Sequence, residues 1–279
     1  MKKNLIAYLS SALMILVLGS CQKINKPKLG SDYPTDSQTL PTGDLRFFVP
    51  FGGTNSQARF NIADEVSGNP AVQNPLTLVD GIKGSALQGS DAKAVKYMNV
   101  NDMKTATSFT LAMWLKNPAQ TGRTEFVFSF VDPKYSGWHY SALFLLVENQ
   151  TATQTTMKLG LMDQWLEGTF TKPLFDGQWH HLAFAYNEVT SKMTYYFDGA
   201  VVDGMSSGQT DVKNAGNPRG PLDFSTIGNL VLGGWNKHIN GPGPTDDWIK
   251  SYSGAMDQFR LYKKALSAAE VQALFANKE

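Results

Sequence analysis

Short apolar runs that alternate residue by residue, cut apart by Gly, Pro, Asn and Asp, govern what this 279-residue chain can fold into. In Ser108–Lys116, Phe109, Leu111, Met113 and Leu115 recur at every second position. Successive side chains of a strand point to opposite faces, so these four share one face, and that face belongs in a core. The same reading predicts strands at Leu45–Val49, Val95–Val100, Glu125–Val131, Tyr140–Glu148, Met157–Met162, Gly168–Pro173, His180–Asn187, Lys192–Phe197, Ala200–Val202 and Leu230–Gly233. The pair Asp198-Gly199 between two of these runs suits a tight hairpin turn, which needs positive φ. Many short strands divided by turn residues predict an all-β antiparallel sandwich or barrel. Only the far end reads as helix. There Ser267 and Glu270 have the spacing of a capping box, and Val271, Leu274 and Phe275 fall on one face. The pattern does not repeat, so residues 44–279 are expected to form one domain.

The start of the chain predicts export and anchoring. Lys2 and Lys3 precede an apolar run, Leu5 to Leu18, which is shorter than the roughly 20 residues a spanning helix needs and reads as a secretory signal. Leu18-Gly19-Ser20-Cys21 has the form of a lipobox, with small residues that admit a peptidase and a cysteine sulfur that accepts a diacylglycerol. Residues 1–20 are thus expected to be a signal peptide, and Cys21 a lipidation site. Residues 21–43, with Pro27, Pro34, Pro41, Ser and Thr and no hydrophobic period, are expected to form a tether. Cys21 is the only cysteine, so an acylated chain would have no disulfide to support its fold. An outer-membrane location follows. Lys23, Lys26 and Lys28 leave both a surface and a periplasm-facing orientation open. A net charge of +1 without a basic stripe argues against nucleic acid as a partner.

Three segments resemble the laminin-G-like branch of the concanavalin A-like lectin/glucanase superfamily. They are Gly84-Ser85-Ala86-Leu87-Gln88-Gly89 with Ser108 to Trp114, Gly177-Gln178-Trp179-His180-His181-Leu182-Ala183 with Tyr196-Phe197-Asp198-Gly199, and Gly254 to Tyr262 with Ala265-Leu266-Ser267 and Glu270. The resemblance implies a jelly roll of two curved antiparallel sheets with the last helix packed on it. Relatives bind sugars, bind proteins or accompany enzymes, so the fold alone does not assign a function.

Some glucanases of the superfamily place catalytic acids in a Glu-x-Asp-x-x-Glu pattern. None of the seven glutamates here is followed two residues later by Asp or Glu, so no catalytic residue is assigned. A Gly-x-Ser-x-Gly elbow is also missing. His180 and His181, adjacent on a strand, point to opposite faces and are read as sandwich residues with a hydrogen bond each. The resemblance points to a structural calcium held by Asp64 or Glu65 and by Asp257. Calcium wants several oxygen ligands. Glycan recognition would use aromatic rings beside Asn, Asp or His. Trp138, Tyr140, Trp165, Trp235, His238, Asp247 and Trp248 supply these, with Trp235–Tyr252 read as a long functional loop. The expected function is a non-catalytic, carbohydrate-binding envelope lipoprotein that holds glycan at the membrane. A protein-binding adhesion module with envelope partners and a hydrolase whose acids come from separate strands are the alternatives.

Overall fold

The computed structural model describes residues 43–52, 57–98, 100–137 and 139–278. The signal, the lipobox Cys21 and nearly all of the tether lie outside the described residues, as does Trp138. Two sheets face each other across one core. The first runs in the order β12 (Ala200–Val201), β11 (Lys192–Phe197), β10 (His180–Asn187), β5 (Phe109–Lys116), β17 (Ala255–Tyr262), β3 (Ser85–Gln88), β2 (Thr77–Asp80), with β1 (Leu45–Val49) also paired to β17. The second runs β4 (Val95–Tyr97), β15 (Leu230–Leu232), β6 (Thr124–Val131), β7 (Ser141–Glu148), β8 (Thr155–Leu161), β9 (Gln164–Phe170), and β16 (Ile249–Ser251) joins β6 in parallel. A small hairpin of β13 (Lys213–Asn214) and β14 (Asn217–Pro218) stands apart. This is the sandwich that the strand pattern allows and the jelly roll that the resemblance implies.

Alternation sets the inner faces. Phe109, Leu111, Met113 and Leu115 are fully buried in the shared core with Leu182, Phe184 and Tyr186 of β10. Leu143, Leu145, Val147, Leu159 and Leu161 belong to the same core from the second sheet, and Phe128 meets Phe259 edge-on across the gap at 5.9 Å. The outer face of the first sheet is lined by Ala112, Ala183 and Ala185, whose small side chains leave room for α2 (Ala268–Asn277). Val271 packs there, and Phe275 stacks on Trp114 at 5.5 Å. The expected capping box is present: Ser267 Oγ accepts from the Glu270 amide at 3.3 Å, and Glu270 Oε2 accepts from the Ser267 amide at 2.7 Å. One further helical turn, α1 (Ser207–Thr210), covers the β9 edge, where the Gln209 amide donates to the Thr169 carbonyl at 3.3 Å.

Six strands were not among the expected segments: β2, β3, β13, β14, β16 and β17. In β17 the register shifts between Asp257 and Arg260, with Gln258 at φ 49°, so the alternation is broken inside a fully paired strand. Strand β9 begins four residues before the expected Gly168. Leu161 pairs with Gln164 there, so Met162-Asp163 forms a two-residue hairpin turn with Met162 at φ 58°, a pair that carries no turn signature.

Candidate functional site

The inner faces are filled and α2 covers part of the first sheet's outer face, and the outer face of the second sheet offers a surface for a ligand. Its side chains follow from register. Phe144 of β7 lies opposite Gly160 of β8, which lies opposite Trp165 of β9. The next row on the same face is Phe126, Leu146, Lys158 and Glu167. Gly160 is what allows the first row. A Cβ there would fall 1.9 Å from Phe144 Cε1, so the Phe144 ring lies across the glycine. That ring meets Trp165 edge-on at 5.4 Å, Phe126 at 5.2 Å and His139 at 5.0 Å. Phe126 in turn stacks on Trp235 at 5.2 Å and 9°. The result is a continuous aromatic layer from β9 to the segment after β15.

On this layer lies a cleft of about 250 Å³ lined by Leu146, Glu148, Lys158, Trp165, Asp246 and Trp248. Trp248 is 59% exposed, immediately before β16, whose pairing with β6 anchors it. The loop ahead of it is pinned at its base. Asn236 Nδ2 donates to the Pro242 carbonyl at 2.7 Å, and Lys237 Nζ donates to the Thr245 carbonyl at 2.9 Å and pairs with Asp247. Gly243, at φ +110°, passes so close to Tyr140 and Asn236 that a Cβ would meet both at 2.8 Å. Lys158 is the charged hub of the cleft, 2.8 Å from Glu148 Oε1, 3.3 Å from Glu167 Oε1, and 5.8 Å above the Trp165 ring. Burial opposes its charge, but the two glutamates outweigh that and hold its pKa above the ordinary lysine value. An apolar floor, two indoles and a ring of fixed polar atoms can hold a pyranose or furanose by its C–H face and its hydroxyls.

The expected glycan residues thus divide. Trp165 and Trp248 meet in the cleft, while Trp235 does not. It is fully buried beneath the layer, because Phe126 offers it a parallel ring face. His238 is buried beside it, and burial, with Lys237 adding to the effect, pushes its pKa down to about 4. Tyr140 packs on Val131, Val231 and Ile239 and supports the Gly-Pro loop. Asp247 points to solvent with its charge on Lys237, and its neighbour Asp246 lines the cleft instead. Glu148, Lys158 and Glu167 were not expected. The signal was the unbroken apolar run of β7, buried on both faces, which means that something covers the outer side.

The three acids expected to hold calcium do not come together, and no three His, Cys, Asp or Glu side chains among the described residues form a metal-binding group. Asp64 is fully buried and accepts five donors: the amides of Phe48 (2.8 Å), Val66 (3.1 Å) and Ser67 (3.3 Å), Ser67 Oγ (2.7 Å) and Asn101 Nδ2 (2.8 Å). Its role is to tie the 64–69 turn to β1. Glu65 is exposed. Asp257 accepts from the Ile82 amide at 2.8 Å and the Gln258 amide at 2.7 Å, which pins the β2–β3 turn. Burial pushes its pKa up to about 6. A cation at Asp64 or Asp257 would have to displace N–H donors, so these residues do not fit calcium.

Of the paired histidines, His180 lies between Asp198 Oδ2 (2.9 Å) and Asp176 Oδ1 (3.1 Å). Burial opposes its charge, yet the two carboxylates win and raise its pKa. His181 departs from expectation. Its ring is buried between Trp114 and Phe275 with no hydrogen-bond partner at either nitrogen, and burial lowers its pKa to about 4.

The profile of a laminin-G-like family described as the concanavalin A-like lectin/glucanases superfamily matches residues 89–272. No curated protein matches the chain. Among solved structures, domain 4 of an extracellular GH43 arabinanase from Geobacillus stearothermophilus, in complex with arabinotriose, is 16% identical with a TM-score of 0.53, over 83% of this chain and 98% of that one. The binding domain of botulinum neurotoxin DC, in complex with SialylT, is 11% identical with a TM-score of 0.53, over 85% of this chain and 52% of that one. Trypanosoma rangeli sialidase is 16% identical with a TM-score of 0.57, over 90% of this chain and 36% of that one.

Proposed function

Because this chain belongs to the concanavalin A-like lectin/glucanase superfamily, we propose that it is a non-catalytic carbohydrate-binding protein whose ligand lies between Trp165 and Trp248. The observation that carries this reading is the convergence of those two indoles, from distant parts of the sequence, on one cleft with a fixed polar rim. The complex of the arabinanase domain with a short oligosaccharide is consistent with such a role for the fold. With Cys21 acylated, the domain would hold glycan near the outer membrane for separate enzymes or importers. Affinity electrophoresis through gels containing soluble polysaccharides tests the binding. Retardation by at least one polysaccharide, weakened roughly tenfold or more in Trp248→Ala and Trp165→Ala, is expected. If the wild-type chain migrates freely through every gel, the proposal fails. Palmitate labelling that is lost in Cys21→Ser tests the anchor.

One observation favours a second reading as a hydrolase: Glu148, which lines the cleft, and Glu167 both reach Lys158. Retaining glycosidases hold two carboxyl groups about 5–5.5 Å apart across the scissile bond. Here the space between the two is taken by the lysine ammonium, where such an enzyme would place the sugar. Reducing-end release by purified protein on the polysaccharide it binds would decide for hydrolysis.

A further inference from the structure

The charges around the cleft are unequal. Glu148 and Asp246 line the cleft with a single cation, Lys158, and its ammonium is already shared between Glu148 and Glu167. Two further lysines lie beside Asp247. Lys237 is bound to the Thr245 and Asp246 carbonyls and to Asp247, and Lys250 Nζ donates to the Asp247 carbonyl at 2.7 Å. Asp246 has no ion-pair partner among the described residues. A ligand seated between Trp165 and Trp248 therefore meets hydroxyl-matching groups and an excess of carboxylate.

From this inequality we infer that the cleft selects glycans by charge: it takes neutral sugars, takes those bearing free amines more tightly, and rejects those bearing carboxylates. The inference rests on the reading of this cleft as the glycan site and adds the class of sugar. A uronate or sialoside carboxylate would enter beside like charges, with the ammonium of Lys158 already shared by two glutamates, and like-charge contact across a partly dry surface weakens binding strongly. An ammonium on the sugar gains Asp246 as a partner without disturbing Lys158. Since the charges are partly exposed, the preference is strongest at low ionic strength and fades as the screening length shortens to about 8 Å near 0.15 M salt.

The test is a set of affinity gels at low and at physiological salt, containing neutral polysaccharides (arabinan, xylan and mixed-linkage glucan), chitosan as the amine-bearing probe, and polygalacturonate and alginate as the carboxylate-bearing probes. The expected result is retardation by chitosan or by neutral glycans, with any carboxylate probe at least about tenfold weaker at low salt. The double variant Glu167→Gln/Asp246→Asn, with both changes at the surface, should narrow that gap, read as the ratio of neutral to carboxylate retardation. Retardation by polygalacturonate or alginate equal to the neutral probes overturns the charge inference and leaves the binding proposal standing. So does an unchanged gap in the double variant. Free migration in every gel overturns both.

Discussion

Gly160→Ala should damage stability and binding through a single atom. The new Cβ would fall 1.9 Å from Phe144 Cε1 and 2.3 Å from Phe144 Cζ, in a ring that is fully buried, so the ring must tilt or the strand must shift. Overpacking of this kind typically costs about 1–3 kcal/mol. For a domain of this size each kcal/mol lowers Tm by about 2–4 °C, so a fall of roughly 2–12 °C is expected by calorimetry. Because Phe144 meets Trp165 edge-on, the displaced ring also moves one wall of the cleft, and glycan retardation should weaken with Tm. Shortening the obstacle provides the control. In the Phe144→Leu background the added methyl meets a smaller side chain, so the two changes together should cost less than their sum, by about 0.5–3 kcal/mol of coupling. An unchanged Tm in Gly160→Ala, or strictly additive losses in the pair, would show that the ring does not depend on the missing side chain, and the account of the cleft floor would be refuted.

The remaining predictions concern acid, a buried ion pair and metal. His181 and His238 are held neutral by burial with pKa values near 4 against about 6.5 in the unfolded chain, so their stabilising contribution is complete above pH 6.5 and drains away as pH falls toward 4, by up to about 3 kcal/mol each. His180, with a raised pKa, works in the opposite sense, stabilising below pH 6.5 and losing that contribution as pH rises through its folded value. A Tm profile that drops between pH 6.5 and 4, and flattens in His181→Leu, is the expected outcome. Glu125 is fully buried and accepts from Arg123 Nε (3.0 Å), Gln150 Nε2 (3.0 Å) and the Ser253 amide (3.2 Å), so Glu125→Ala should cost about 3–5 kcal/mol in a denaturant titration. Excess EDTA, followed by calcium, should leave Tm unchanged, because Asp64 and Asp257 already accept backbone amides.

The sandwich was legible where the period of two was clean. Phe109 to Leu115 and Met193 to Phe197 name their own inner faces, and Ser267 with Glu270 names the start of the helix. It was illegible where tertiary structure overrode the local pattern. Strand β17 hides behind a bulge at Asp257-Gln258, and the β8–β9 turn uses Met162 at positive φ, which no propensity suggests. At the candidate site, residue type pointed alike to Trp165 and Trp248, which meet in the cleft, and to Trp235, which is equally aromatic and is buried against the Phe126 ring. Glu148, Lys158 and Glu167 sit at ordinary alternating positions on three separate strands. Only register brings them into line.

The pinned loop ahead of Trp248 separates two kinds of change. Its base is held by Asn236 and Lys237, and its far end enters β16, which is locked to β6. Residues between these fixed ends, the close-packed Gly241 and Gly243 aside, can be exchanged without sliding any strand, so the upper jaw of the cleft can drift through sequence space while the ringed floor stays put. Lineages that carry this chain could acquire a new sugar preference at Asp246 and Trp248 alone, at little cost to the rest of the molecule.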